Sequence, residues 1–324
     1  MFGQTVLRVI AALFVSALVS AGAQAQAYPS RTVRLIVPFT PGGGTDIVGR
    51  ALAAKLTEIL KQQVIVDNRP GAGTVIGSDL LAKSVPDGHT LILQVNSLAA
   101  NHALYKKLPY DTLRDFTPIV LAASTPNVLV VHPSMPVSNV RDFVALAKKR
   151  PDDIAYASSG VGGASYLATE MFKLQTGTKM IHVPYKGTAP ALAAIISGEA
   201  QAMIAALPGT VPTLKAQRLR ALGVTSAKRA AAMPELPTLS ESGIPEFEFA
   251  TWYGLFAPGG TNRDIVARLN ASVNSILAMP DVRSQFDRQG LEPAGGTTEE
   301  FTRYFRNEVE KLGKVIRASG AKVE

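Results

Sequence analysis

The 324-residue chain contains no cysteine, which excludes disulfide bonds, a cysteine nucleophile and the thiol through which a bacterial lipoprotein is tethered. Histidine is scarce as well. His89, His102, His132 and His182 are dispersed, without the i, i+4 spacing or the carboxylate pattern of a metal site, so neither a metal nor a cofactor is expected. There is no Gly-x-Ser-x-Gly elbow, no Gly-x4-Gly-Lys-Ser/Thr loop and no dinucleotide-fold glycine spacing, which argues against an enzyme and against a nucleotide binder. Past residue 27 no unbroken apolar run reaches the length of a bilayer span, about 18 residues. The 33 Lys and Arg against 25 Asp and Glu give a formal charge of +8. These basic residues are scattered and not interleaved with aromatics, which fits mild anion steering and not a nucleic-acid groove.

The first 27 residues carry one charge, Arg8, then an apolar run from Val9 to Val19, then two small-residue cleavage sites, Ala23-Gln24-Ala25 and Ala25-Gln26-Ala27. That is the pattern of a secretory signal peptide, so a periplasmic, soluble, monomeric mature protein is expected. The mature chain is long for one domain. Short β-branched runs alternate with segments of helical period: strands at 32–37, 64–67 and 90–95 with helices at 45–61 and 74–83, then strands at 128–131, 154–157 and 180–183 with helices at 140–149, 166–176 and 189–197. A strand at 251–256 and helices at 264–278, 280–289 and 299–318 close the chain. This alternation predicts an α/β fold with mainly parallel sheets flanked by helices. The tail reads as completing the first lobe, giving residues 28–124 and 248–324 to lobe 1 and 125–247 to lobe 2. The chain then crosses twice, near Ala123 to Asn127 and near Gly243 to Thr251, with a ligand cleft between the lobes at the carboxyl ends of the strands.

Two strands run into glycine loops that open helices. The first loop is Phe39-Thr40-Pro41-Gly42-Gly43-Gly44-Thr45-Asp46 and the second Ser158-Ser159-Gly160-Val161-Gly162-Gly163-Ala164-Ser165. Glycine admits a ligand close to the backbone, and a helix start offers unpaired N–H groups and a positive dipole end. Either loop read alone is also an ordinary strand-to-helix turn. Together they predict a two-sided grip on a carboxylate-bearing molecule, with the hydroxyls of Ser158, Ser159 and Ser165 as donors, directly or through water. Tyr185, Lys186 and Thr188 come after a third strand and are candidates for the same cleft, Lys186 as a counter-charge. Gln94, Asn96 and Ser97 end another strand at the expected cleft edge, where they either orient a ligand or simply terminate the strand, and Trp252, the only tryptophan, is read as lining the cleft or packing the hinge.

Val37-Pro38-Phe39-Thr40-Pro41-Gly42-Gly43-Gly44-Thr45-Asp46, Asp67-Asn68-Arg69-Pro70-Gly71-Ala72-Gly73, Pro86-Asp87-Gly88, Leu108-Pro109-Tyr110-Asp111, Tyr156-Ala157-Ser158-Ser159-Gly160 and His182-Val183-Pro184-Tyr185-Lys186-Gly187 resemble the tripartite tricarboxylate transporter solute receptors, or Bug receptors. The resemblance runs from about Tyr28 to Glu324. It implies a two-lobed type II periplasmic binding protein that closes on an organic carboxylate and delivers it to an inner-membrane permease. In that family the loops matching Pro38 to Asp46 and Ser158 to Gly163 hold a ligand carboxylate, partly through water. The chain departs from the family's frequent Gly-x-Val-Asp-Leu-Met-Phe-Asp, reading Gly198-Glu199-Ala200-Gln201-Ala202-Met203-Ile204-Ala205. The loss of two acids predicts a less acidic distal pocket bordered by Ala205 and Ala206, and a ligand without an ammonium group, aromatic or a short diacid. A sensory receptor for a signalling partner and, behind it, a periplasmic hydrolase are the rival readings.

Overall fold

The computed structural model of the chain describes residues 28–321, and the expected signal peptide lies outside them. The first segment lays down β1 (Val33–Val37), α1 (Gly44–Leu60), β2 (Val64–Asn68), α2 (Val75–Ala82), β3 (Thr90–Gln94) and α3 (Asn96–Leu104). β1 pairs in parallel with both β2 and β3. β4 (Phe116–Val131) leads into the middle segment: α4 (Val140–Lys149), β5 (Ala155–Ser158), α5 (Ala164–Thr176), β6 (Ile181–Pro184), α6 (Thr188–Ser197), β7 (Ala202–Ala206), α7 (Val211–Lys215) and β8 (Arg220–Val224). Here β5 pairs in parallel with β6 and β7. The chain returns through β9 (Ala250–Pro258), α8 (Arg263–Ala278), α9 (Pro280–Arg288), β10 (Glu292–Gly295) and α10 (Thr298–Ser319).

The expected parallel pairing therefore occupies both wings of the fold, while the centre is antiparallel: the sheet is mixed, in the order β2-β1-β3-β9-β4-β7-β5-β6. The reason is β4. It pairs with β9 from Phe116 to Pro126 and with β7 from Asn127 to Val131, so one strand hands the chain from the first lobe to the second at Pro126/Asn127. Only its last residues read as a strand from sequence, because prolines at 118 and 126 interrupt the pattern and a proline demotes a central strand.

Buried polar bonds fix this handover. Asn127 N–H donates to Thr225 Oγ1 at 2.8 Å, Thr225 Oγ1 donates to the Phe249 carbonyl at 2.6 Å and Thr251 Oγ1 donates to Asn127 Oδ1 at 2.7 Å. They join β4, the end of β8 and the start of β9. One apolar core lies between α1, α8 and the β1, β3 and β9 faces, and another between α6, α7 and the β7 and β8 faces. A third runs under α3, α5 and α10 and includes residues of both lobes, from Ile36 to Tyr156 and Phe305. α10 starts at a capping box in which Thr297 and Glu300 satisfy each other's backbone N–H groups, a local signal that fixes its first turn.

Candidate functional site

Three helices start at the cleft, and each starts on a glycine. Gly43 precedes α1, Gly163 precedes α5 and Gly187 precedes α6, none with a side-chain cap. The first intrahelical bonds to these glycines come from Ile47, Leu167 and Ala191, which leaves the earlier amides of each helix without a partner inside it. The starts of all three helices converge on a cavity of about 20 Å³ lined by Gly43, Gly44, Thr45, Ala164, Ser165 and Thr188, with Phe39, Val95, Ser159, Ala206, Thr251 and Tyr253 completing the wall. Among the described residues no charged side chain lines it. The volume suits a water or the head of an anion, and the three positive dipole ends supply the potential.

Asp46 shapes the first loop without entering the cavity. Its Oδ2 accepts from Gly42 N–H at 3.0 Å and Arg50 Nε at 2.9 Å, and its Oδ1 accepts from Asn68 Nδ2 at 3.0 Å. Burial pushes this carboxyl up, but the hydrogen bonds from Arg50, Gly42 and Asn68 and the Arg50 charge win, holding it below its usual value. The tie to Gly42 folds the loop back over the helix start.

In the second loop Ser159 N–H donates to Ser165 Oγ at 2.7 Å and the two hydroxyls lie 2.9 Å apart. Ser158 is fully buried; its Oγ lies 2.6 Å from His182 Nε2 and accepts from Gly160 N–H at 3.1 Å. It braces the loop from beneath.

A second, larger space of about 500 Å³ opens outward from the small cavity, sharing Phe39 and Ser159 with it. Its wall includes Gly160, Val161, Pro184, Tyr185 and Lys186 from one lobe and Pro38, Gly71 to Thr74 and Tyr105 from the other.

Of the residues read from sequence, Phe39, Gly43, Gly44, Thr45, Ser159, Ser165 and Thr188 meet at the small cavity, and Gly160, Tyr185 and Lys186 at the outer chamber. Thr40, Gly42, Gly162 and Gly163 do other work. Thr40 N–H donates to the Lys186 carbonyl across the cleft at 3.2 Å, Gly42 lies against Ala189 of α6, and Pro41 is the exposed tip of its loop. Gly163 caps α5. A β-carbon on Gly162 would stand 2.8 Å from Asn101 Oδ1 and 2.9 Å from Leu104 Cδ2 in the opposite lobe.

Gln94, Asn96, Ser97, Ala205 and Trp252 line neither space. Gln94 donates to Ser78 Oγ at 2.7 Å and Ser97 accepts from Thr74 Oγ1 at 3.2 Å, inside the lobe. Asn96 Nδ2 donates to the Ala250 carbonyl at 3.1 Å. The strand end points them inward because α3, which begins at Asn96, is buried on nearly every side. Ala205 faces the second lobe's core, and strand alternation turns its neighbour Ala206 to the cavity. Trp252 has no exposed surface; it packs edge-on to Phe301 and Phe305 of α10, and its Nε1 donates to Glu308 Oε2 at 3.0 Å. The alternation puts Thr251 and Tyr253 at the cavity instead. Tyr253 lies over Gly44, where any β-carbon would collide with its hydroxyl, and burial raises the pKa of that hydroxyl, keeping it a donor.

The Gly71 to Thr74 turn carries no site signal beyond its two glycines, yet four successive residues hold positive φ, at 135°, 46°, 56° and 78°. Two of them are not glycine, and such strain persists only where the surroundings enforce it. Among the described residues no group of three or more His, Asp or Glu side chains is placed to hold a metal ion, and no helix is long and apolar enough to cross a membrane.

Comparison with known proteins bears on the whole chain. Residues 48–321 match the model of the tripartite tricarboxylate transporter family receptor. Protein BugT of Bordetella pertussis is 37% identical over 320 residues, covering 98% of both chains. A UPF0065 protein from the tcbD-tcbE intergenic region of a Pseudomonas species is 40% identical over 291 residues, 90% of this chain and 87% of that one. Among solved structures, R. palustris Rpa4515 with adipate superposes with a TM-score of 0.89 at 38% identity, covering 91% of this chain and all of that one. The chain therefore belongs to the tripartite tricarboxylate transporter receptor family, the Bug receptors, and has the two-lobed α/β fold of its periplasmic solute-binding proteins.

Proposed function

We propose that the protein is a periplasmic receptor that captures a small organic carboxylate between lobe 1 (28–124 and 248–324) and lobe 2 (125–247), closes on it, and delivers it to a tripartite-type membrane permease. The observation that carries this reading is the convergence of three uncapped helix starts on one uncharged cavity. A carboxylate placed there accepts several N–H donors from both lobes at once, so the ligand joins them. The hydroxyls of Thr45, Ser165, Thr188, Thr251 and Tyr253 line the same space and complete the donor set, directly or through water. The adipate held by the R. palustris relative fits such a site.

Binding needs no chemistry. Ser158 and His182 touch at 2.6 Å, but Ser158 is fully buried beneath its loop, where it cannot attack a substrate. Closure results from the ligand's greater affinity for the closed state, in which it meets donors from both lobes.

A thermal-shift screen of mature protein, unfolded and refolded to strip bound ligand, tests this reading against mono-, di- and tricarboxylates, aromatic acids and amino acids. A ligand at a hundredfold excess over its Kd stabilises by about 2.7 kcal/mol, so a shift confined to carboxylates is expected, and silence towards every acid refutes the assignment. Gly43→Asp should abolish binding by charge repulsion and steric block while the protein still folds. Unchanged affinity of that variant in calorimetry would move the carboxylate site elsewhere.

A further inference from the structure

We propose that the outer chamber selects a dicarboxylate with a hydrocarbon body, aliphatic or aromatic, over hydroxylated acids and amino acids, and that Lys186 pairs the second carboxylate. This rests on the carboxylate-receptor reading and names its substrate class.

The chamber, about 500 Å³, exceeds the roughly 150 Å³ that suffices for benzene in an apolar cavity. Its walls include Phe39, Tyr105 and Tyr185. Both tyrosine hydroxyls are engaged elsewhere: Tyr105 donates to the Ala72 carbonyl at 2.9 Å and Tyr185 to Glu199 Oε1 at 2.8 Å. What these residues offer a ligand is ring surface.

Several backbone carbonyls around the chamber are similarly committed. The Gly71 carbonyl accepts from Thr74 N–H at 3.0 Å, that of Gly73 from Asn101 Nδ2 at 2.9 Å, that of Gly160 from Gly163 N–H at 3.0 Å, and that of Lys186 from Thr40 N–H at 3.2 Å. Pro38 and Pro184 contribute no N–H, and the Ser159 hydroxyl is paired with Ser165. A hydroxyl on the ligand body would leave water for ring faces and for carbonyls that already have partners, an unfavourable transfer for its O–H donor. A methylene chain or ring loses nothing by it.

Charge supplies the other half. Among the described residues Lys186 is the sole charged side chain lining either space, and no carboxylate lines them. An ammonium group brought in by an amino acid meets no counter-charge and faces a cation. A second carboxylate meets one, in a charge-assisted hydrogen bond. The backbone bond from Thr40 anchors Lys186 at the junction of the lobes, so this pair forms in the closed state.

Calorimetry on the refolded mature protein, with adipate, terephthalate, hexanoate, benzoate, malate, citrate and glutamate as probes, tests the proposal. Adipate or terephthalate should bind at least tenfold more tightly than malate, citrate and glutamate. Lys186→Met should weaken the hydrocarbon diacids about five- to tenfold, to the level of their monoacid counterparts, and change hexanoate and benzoate less than twofold. Lys186→Arg should keep the diacid preference. The proposal is overturned if malate, citrate or glutamate binds most tightly, or if Lys186→Met weakens mono- and diacids alike. Monoacid binding with no diacid preference refutes this inference and leaves the carboxylate receptor standing, whereas failure of every acid refutes both.

Discussion

His182 is held between two tyrosine rings, stacked on Tyr156 at 4.9 Å and tilted against Tyr166 at 4.8 Å. Burial lowers its pKa from 6.5 to about 4; the nearby Glu170 carboxylate pulls it up and Lys173 pushes it down. The unfolded chain takes up this proton near pH 6.5, whereas the native protein refuses it until about pH 4. The contribution of the neutral ring is therefore whole above pH 6.5 and is lost as the pH falls through that window. Discounted for the ring's partial exposure, it is worth about 1 to 3 kcal/mol. In urea unfolding the wild type should lose more stability between pH 7 and pH 4.5 than His182→Gln does. Parallel pH profiles for the two proteins would show that the aromatic sandwich does not hold the ring neutral.

At the level of elements, the glycines of the second loop divide their labour. Gly160 lines the chamber, Gly163 caps α5, and Gly162, at φ 75°, lies against α3 of the other lobe. Gly162→Ala should thus weaken the binding of any carboxylate more than tenfold without touching it, by keeping α3 and the loop apart. Backbone strain alone is controlled by Gly177→Ala, at a similar φ of 66° but with open space around it, which should cost about 1 kcal/mol of stability and leave affinity alone. Equal affinities for the two variants would remove Gly162 from the closing surface. The helix-opening loops were legible in the sequence because the device occurs twice, each time between a strand and a helix, where one copy alone reads equally as an ordinary turn. α3 was not, because a helix buried all round, from Asn96 and Ser97 to Asn101 and Leu104, has no polar face to set a period. The same burial explains why Gln94, Asn96 and Ser97 form an internal network where a cleft edge was expected. Thr188 was named with its loop, but Thr251 and Tyr253 could not be ranked above their neighbours without knowing which face of the strand meets the other lobe.

For the whole molecule, the structure is a closed one. Thr40 and Lys186 bond across the cleft, a β-carbon on Gly73 would collide with the Val161 carbonyl, and one on Gly209 would stand 2.9 Å from the Gly42 carbonyl. The two glycine contacts are of backbone on backbone, an apolar core under α3, α5 and α10 also spans the lobes, and a ligand that bridges the helix starts adds to what favours the closed form. The hinge is different in character. Asn127, Thr225 and Thr251 are fully or almost fully buried and bonded to one another, and β4 is continuous through them. Movement is therefore expected as a rotation of two rigid lobes about Pro126/Asn127, not as a local rearrangement of loops. Small-angle scattering on ligand-stripped mature protein should show a larger radius of gyration than this closed form gives, falling to the closed value when a binding carboxylate is added. Gly162→Ala should remain expanded at ligand concentrations that close the wild type. If the stripped protein already scatters as the closed form, and adding the acid that shifts its melting changes nothing, the lobes do not open and the ligand must enter a preformed pocket through the outer chamber.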